Sequence, residues 1–171
     1  MPLVLVHDDL TRRRVDALVN AWNRNFIPHW LLVPQGVSRA LRKRGGRGIF
    51  RELGRHGLLP LGGVAVTGPG ALPVRWILHA AALHAYWRAS ERSVRLAAEN
   101  ALATARDLGA TSVALPLLGA GTGGLAPETS LALITESWRA SGDDVMLVEV
   151  VVHDERLHAR LASDPGAPPA R

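Results

Sequence analysis

Four glycines stand within the six residues Gly119-Ala120-Gly121-Thr122-Gly123-Gly124, directly behind the apolar run Ala114-Leu115-Pro116-Leu117-Leu118. Pro127 and Glu128 then open a helical pattern. Glycine has no Cβ, so its backbone N–H groups can turn toward a ligand at close range and φ > 0 is accessible. A strand, a glycine loop and a helix N-terminus in series make a cradle for an anion, phosphate above all. The alternative is a surface turn, which seldom needs so many glycines behind a buried strand. The same residues satisfy G-x-G-x-x-G, and Glu149 and Asp154 lie near the separation of a ribose-binding acid. A dinucleotide fold, however, opens with that fingerprint and needs the rest of its sheet afterwards. Only one helix, one strand and a terminal helix remain here, so an NAD-dependent oxidoreductase ranks last. Neither a Walker nor an H-E-x-x-H pattern occurs.

A second segment, Val15-Asp16-Ala17-Leu18-Val19-Asn20-Ala21-Trp22-Asn23, ends an apolar strand in two asparagines spaced i, i+3. Such an asparagine caps a turn through its own side chain or presents an amide to ribose hydroxyls. On its own residues Asn20 suits the turn. The basic cluster Arg39, Arg42, Lys43, Arg44, Arg47, Arg51 and Arg55 is interrupted only by Glu52. It reads as a solvated helical face, with a nucleic-acid-binding module as the alternative. It could also steer an anionic ligand toward a nearby pocket.

The elements that must position these residues alternate. Strands are predicted at Leu3–Val6, Asp16–Asn20, Val64–Thr67, Val74–Ala80, Ser112–Leu118 and Val145–Val152, the last reading as covered on both faces. Helices are predicted at Val37–Arg44, at Gly48–His56, from an N-cap at Ser90 to before Gly109, from Pro127, and at Asp154–Leu161. Phe26–Pro34 reads as a structured loop or short helix. This alternation predicts a three-layer α/β/α domain over 1–162. The Pro- and Ala-rich tail 163–171 is expected to be disordered. At 171 residues, 47% of them apolar, the chain has material for one substantial core. With no cysteine it can build neither a disulfide scaffold nor a thiolate metal site. No apolar run reaches the roughly 20 residues of a membrane span, and the N-terminus does not read as a signal peptide. The expected location is cytoplasmic.

In order and spacing, three blocks resemble the macrodomain family: Asp9-Leu10-Thr11 with Val15–Asn23, then Leu72-Pro73-Val74-Arg75-Trp76-Ile77-Leu78-His79, then Leu115–Gly124. The resemblance covers most of Leu3–Leu161. It implies a mixed central sheet between helical layers, binding ADP-ribose at the crest of its strands. Asp9 would accept from the adenine amino group, Asn23 would contact the distal ribose, and Gly36 and Val37 would lie on the first ligand loop. Gly119, Ala120, Gly121, Thr122 and Gly123, with Gly124 behind them, would wrap the diphosphate, and His153 would stand against adenine. Leu10, Asn20, Gln35 and Ser38 are placed in the same site. His79 is read as a satisfied core histidine, and Asp9 could instead serve an Asx turn or N-cap.

Departures from the family pattern bear on chemistry. Hydrolytic members commonly carry Val-Asp-Gly in the first loop, where this chain has Val37-Ser38-Arg39. A neutral hydroxyl cannot hold or polarise water as a carboxylate does. Gly123 stands where many members have an aromatic residue, and the zinc-dependent branch needs a cysteine this chain lacks. The expected function is therefore ADP-ribose binding without cofactor or metal, as a reader of ADP-ribosylated macromolecules or as a mono-ADP-ribosyl hydrolase or O-acetyl-ADP-ribose deacetylase. No catalytic residue is assigned; His29, Gln35 and Ser38 are the candidates. Residue types and spacing leave the oligomeric state open.

Overall fold

Apolar runs become strands here because helices cover both faces of the sheet they form. The computed structural model describes residues 3–24, 35–142 and 145–171. Its strands are β1 (Leu3–His7), β2 (Ala17–Trp22), β3 (Val64–Thr67), β4 (Trp76–Ala81), β5 (Ser112–Pro116) and β6 (Leu147–Val152). They lie in the order β1-β6-β5-β2-β4-β3. All neighbours pair in parallel except β3, which is antiparallel to β4. The helices are α1 (Gly36–Gly45), α2 (Gly48–Leu53), α3 (Glu91–Asp107), α4 (Pro127–Ser141) and α5 (Glu155–Ala162). The expected α/β/α layering around a mixed sheet is what the chain adopts.

Strand periodicity sorts the core into two sides. Leu18, Trp22, Ile77 and Ala81 pack under Leu41 of α1 and Ile49, Phe50 and Leu53 of α2. Val19, Leu78, Leu115 and Val150 pack under Val94, Ala97 and Ala101 of α3, Ile134 of α4 and Leu161 of α5. Full burial of each large aliphatic side chain contributes about 1.5–3 kcal/mol, so these inward rows fix where the helices sit. Ser90 caps α3 as predicted. Its hydroxyl accepts from Ser93 N–H, the Ser90 N–H donates to Ser93 Oγ, and Ser93 Oγ also donates to the Ala82 carbonyl at 2.7 Å.

Two expectations shift. β5 stops at Pro116, and Leu118 stays fully buried as a loop residue whose carbonyl accepts from Ser130 Oγ at 2.8 Å. The tail expected to be disordered instead runs beside β1. Leu5 N–H donates to the Pro169 carbonyl and Arg171 N–H to the Leu5 carbonyl, each at 2.9 Å. β1 is an edge strand whose free backbone groups form a template for pairing, and composition alone does not register a partner so distant in sequence. Phe26–Pro34 lies outside the described residues. Among those described, no helix is long and apolar enough to cross a membrane.

Candidate functional site

The chain leaves β2 toward β4 and β3 through α1 and α2 on one face of the sheet. It leaves β5 toward β6 through α4 on the other face. Where such paths diverge, a crevice opens beyond the carboxyl ends of the parallel strands. A cleft of about 460 Å³ lies at that edge. Asp9 and Leu10 after β1, His153 and Asp154 after β6, and Pro116, Leu117, Ala120 and Gly121 at the end of β5 line it. Gly36, Val37 and Ala40 of α1, Pro127 of α4 and Leu157 of α5 complete it.

The glycine loop has a division of labour. A Cβ on Gly119 (φ 75°) would meet Ala89 Cβ at 2.7 Å, and one on Gly123 would meet the Gly119 carbonyl oxygen at 2.5 Å. These two glycines serve packing. A Cβ on Gly121 would meet nothing within 4 Å, so this glycine faces open space. The loop's own bonds run from Ala120 N–H to Leu117 O, Gly124 N–H to Gly121 O and Leu125 N–H to Gly119 O. The N–H groups of Gly121, Thr122 and Gly123 have no protein acceptor among the described residues. Two helices flanking the crevice also begin without a side-chain cap: α1 after Gln35 and α4 after Ala126. Open N–H groups at Gly121 and the starts of α1 and α4 thus face the same cleft, which favours an anion there.

At the other end, Asp9 caps the turn Leu10–Arg12. Its Oδ1 accepts from Thr11 N–H at 2.9 Å and Thr11 Oγ1 at 2.7 Å. Its Oδ2 faces Arg44 Nη1 at 3.5 Å and Arg12 Nε at 3.7 Å. Burial works against this carboxylate, but the Thr11 bonds and the two guanidinium groups hold its pKa below the usual value. Behind it Arg13 makes a two-pronged contact with Glu149, both bonds 2.8 Å, and a third bond to Asp8. Glu149 is therefore committed to Arg13 inside the sheet and is no ribose ligand. With the glycine loop following β5 in an already assembled sheet, the dinucleotide reading loses its frame. Asp154 caps α5 by accepting from Leu157 N–H at 2.7 Å.

Of the residues expected at the site, Asp9, Leu10, Gly36, Val37, Ala120, Gly121 and His153 line the cleft, and Gly119, Thr122, Gly123 and Gly124 complete the adjoining loop. Asn23 is buried at the end of β2 without lining it, and Gln35 is an exposed residue ahead of α1. His29 lies outside the described residues. Asn20 and Ser38 belong elsewhere. Ser38 Oγ donates to Asn20 Oδ1 at 2.9 Å, and Asn20 Nδ2 donates to His79 Nδ1 at 3.1 Å. That leaves the His79 proton on Nε2, which donates to Thr67 Oγ1 at 3.0 Å, and Thr67 donates to the Gly68 carbonyl. All four side chains are buried. Burial, with His56 nearby, pushes the His79 pKa down to about 3, so the ring is neutral. His79 is the satisfied core histidine expected, and Asn20 and Ser38 are its partners. The apolar lining of Ala40, Leu117, Pro127 and Leu157 was not singled out, although Ala40 and Leu157 fall one helical turn after Val37 and Asp154.

The basic cluster forms the outer side of α1, α2 and the turn between them. Arg39, Lys43, Arg44, Arg47, Arg51 and Arg55 are exposed, while Ser38, Leu41, Ile49, Phe50 and Leu53 face inward.

Comparison with known proteins agrees with this architecture. The Macro domain family matches residues 19–134. A macro domain-containing protein of Streptomyces coelicolor is 32% identical over 94% of this chain and 96% of its own length. A second, from Streptomyces nogalater, is 33% identical over 96% and 92%. A variant of the Oceanobacillus iheyensis macrodomain solved with ADP-ribose superposes with a TM-score of 0.79 at 25% identity, covering 91% of this chain and 87% of that one. The chain belongs to the macrodomain family.

Proposed function

We propose that this macrodomain binds ADP-ribose, free or attached to a macromolecule, and acts as a reader of the modification. The observation that carries the reading is the convergence on one cleft of the N–H groups at Gly121–Gly123, which have no protein acceptor among the described residues, and the uncapped starts of α1 and α4. A diphosphate placed there would have donors already oriented, with little ordering left to offset. Asp9 and the exposed His153 ring line the opposite end, where adenine would lie. The related macrodomain solved with ADP-ribose supports the same ligand.

Reading rather than cleaving is favoured by the place of Ser38. Its hydroxyl is buried and donates to Asn20, away from the cleft lining. Neither a carboxylate nor a free hydroxyl at this position is available to hold an attacking water. Titration calorimetry with ADP-ribose, AMP and NAD tests the binding. ADP-ribose should bind most tightly, and no heat with it at high micromolar protein would end the proposal. Incubation with a mono-ADP-ribosylated protein tests the reader role. Retention of the label is expected, and release of ADP-ribose would make the protein a hydrolase.

A further inference from the structure

The net charge of this chain is concentrated in one place. Residues 36–57 hold seven of the 20 arginine and lysine side chains and one of the 15 carboxylates, so this segment is +6 where the whole chain is +5. The fold spreads that charge over one outer surface. Arg39 and Lys43 of α1, Arg47 in the turn, Arg51 of α2 and Arg55 just beyond it recur at every fourth residue, and all are exposed. Four residues advance a helix by about 6 Å and return to the same face. Leu41, Ile49, Phe50 and Leu53 are buried underneath, so the cations stand on a fixed scaffold.

Surface charges of a folded domain ordinarily alternate in sign, and here they do not. Among the described residues none of these five cations makes an ion pair, whereas Arg44 of the same helix is drawn to Asp9. Glu52, the one carboxylate, accepts from Gly68 N–H at 3.1 Å. A hollow of about 320 Å³ lies here, with Arg51 and Arg55 on one side and Gly68 and Gly70 of the β3–β4 turn on the other. A Cβ on Gly48 at its edge would meet nothing within 4 Å, so the hollow is open to a large ligand.

The chemistry of the face selects among polyanions. Four of the five cations are arginine, whose planar fork fits phosphate oxygens in a two-pronged contact. A lipid surface would want apolar side chains beside the cations, and the large ones of α1 and α2 point inward. Single strands want exposed rings to stack their bases, and Phe50, the only Phe, Tyr or Trp of the segment, is buried. A double helix, rigid and held by its phosphates, fits what remains.

We propose that the α1–α2 face binds double-helical nucleic acid through its phosphate backbone, as a surface separate from the ADP-ribose cleft. Fluorescence anisotropy with labelled DNA and RNA duplexes of about 20 base pairs should give a slope of log affinity against log salt of about −4.5, a several-hundredfold loss between about 50 and 200 mM. Both duplexes should bind, the tighter one marking the source. The triple variant Arg47→Gln, Arg51→Gln, Arg55→Gln should flatten the slope to about −2 and bind at least about tenfold more weakly at low salt. Its melting temperature and its calorimetric affinity for ADP-ribose should stay at the parental values, and saturating ADP-ribose should leave duplex binding unchanged. Binding of neither duplex at low salt, a flat salt dependence, or an unaltered slope in the triple variant overturns the proposal. So does tighter binding to the single strand, to poly(glutamate) of matched charge or to phosphatidylserine vesicles, and so does competition by ADP-ribose, which would place the duplex in the cleft. Failure of the parent chain to bind ADP-ribose would end the reader assignment and leave this one standing.

Discussion

Two polar regions of this protein behave in opposite ways. In the relay Ser38–Asn20–His79–Thr67, each bond dictates the next, and the chain closes on the Gly68 carbonyl. In the glycine loop, N–H groups at Gly121, Thr122 and Gly123 are left without a protein acceptor among the described residues. Buried polar groups must be paired inside the fold, whereas a rim open to solvent can hold donors in reserve for a ligand. Unused hydrogen-bonding capacity at an accessible edge, more than polarity itself, separates a site from a core. On that criterion Asn20 and Ser38 belong to the core and Gly121 to the site.

The largest expected effect is on Gly123. Gly123→Val forces a side chain against the Gly119 carbonyl and Ala89; overpacking should cost about 3 kcal/mol. Urea denaturation reads the stability, and ADP-ribose affinity should drop at least about a hundredfold, roughly 2.7 kcal/mol. Gly121→Val is the counterpart. It should leave stability within about 0.5 kcal/mol but weaken ADP-ribose about tenfold, some 1.4 kcal/mol. Equal effects of the two variants on stability would erase the proposed division within the loop.

Next comes the relay. Asn20→Ala strands the Ser38 hydroxyl and the His79 ring, and about 2–3 kcal/mol of stability should be lost. Below its melting transition the variant should still bind ADP-ribose with near-parental affinity. Ser38→Asp should also destabilise, by about 2 kcal/mol, because it buries a carboxylate against the Asn20 carbonyl oxygen. It should confer no hydrolysis of a mono-ADP-ribosylated protein; a gain of cleavage would show that the position reaches the ligand after all.

His79 gives a pH signature. Unfolded, the ring takes up a proton near pH 6.5; folded, it refuses one until about pH 3. The unfolded state therefore binds more protons across that window, so stability is complete above it and falls as the pH drops. Asp8, Asp9 and Asp16, whose pKa values lie below 3.8 in the folded chain, add their own losses only under that value. The acid limb from about pH 6.5 to 4 should flatten in His79→Gln, which removes the titration but keeps an amide donor and acceptor. A limb of unchanged slope would assign it elsewhere. The smallest effect is expected for Ser38→Ala, about 1 kcal/mol with ADP-ribose affinity intact.

Much of the architecture was legible because it rests on local chemistry. Apolar runs mark the six strands, Ser90 and Pro127 mark helix starts, and the spacing of three blocks points to a macrodomain. The glycine loop and the helix start behind it were legible for the same reason, since both are features of neighbouring residues. Three assignments were not. Asn20 falls opposite His79 only when β2 pairs with β4, and Ser38 meets Asn20 only because α1 packs over that strand. The tail meets β1 across the whole length of the chain.

Residue type, periodicity and short-range spacing carry the family, the layering and the position of the glycine loop. Tertiary structure decided which polar side chains remain free to meet a ligand. That depends on partners brought in from distant segments, and a hydroxyl or amide reads the same in sequence whether those partners hold it or not.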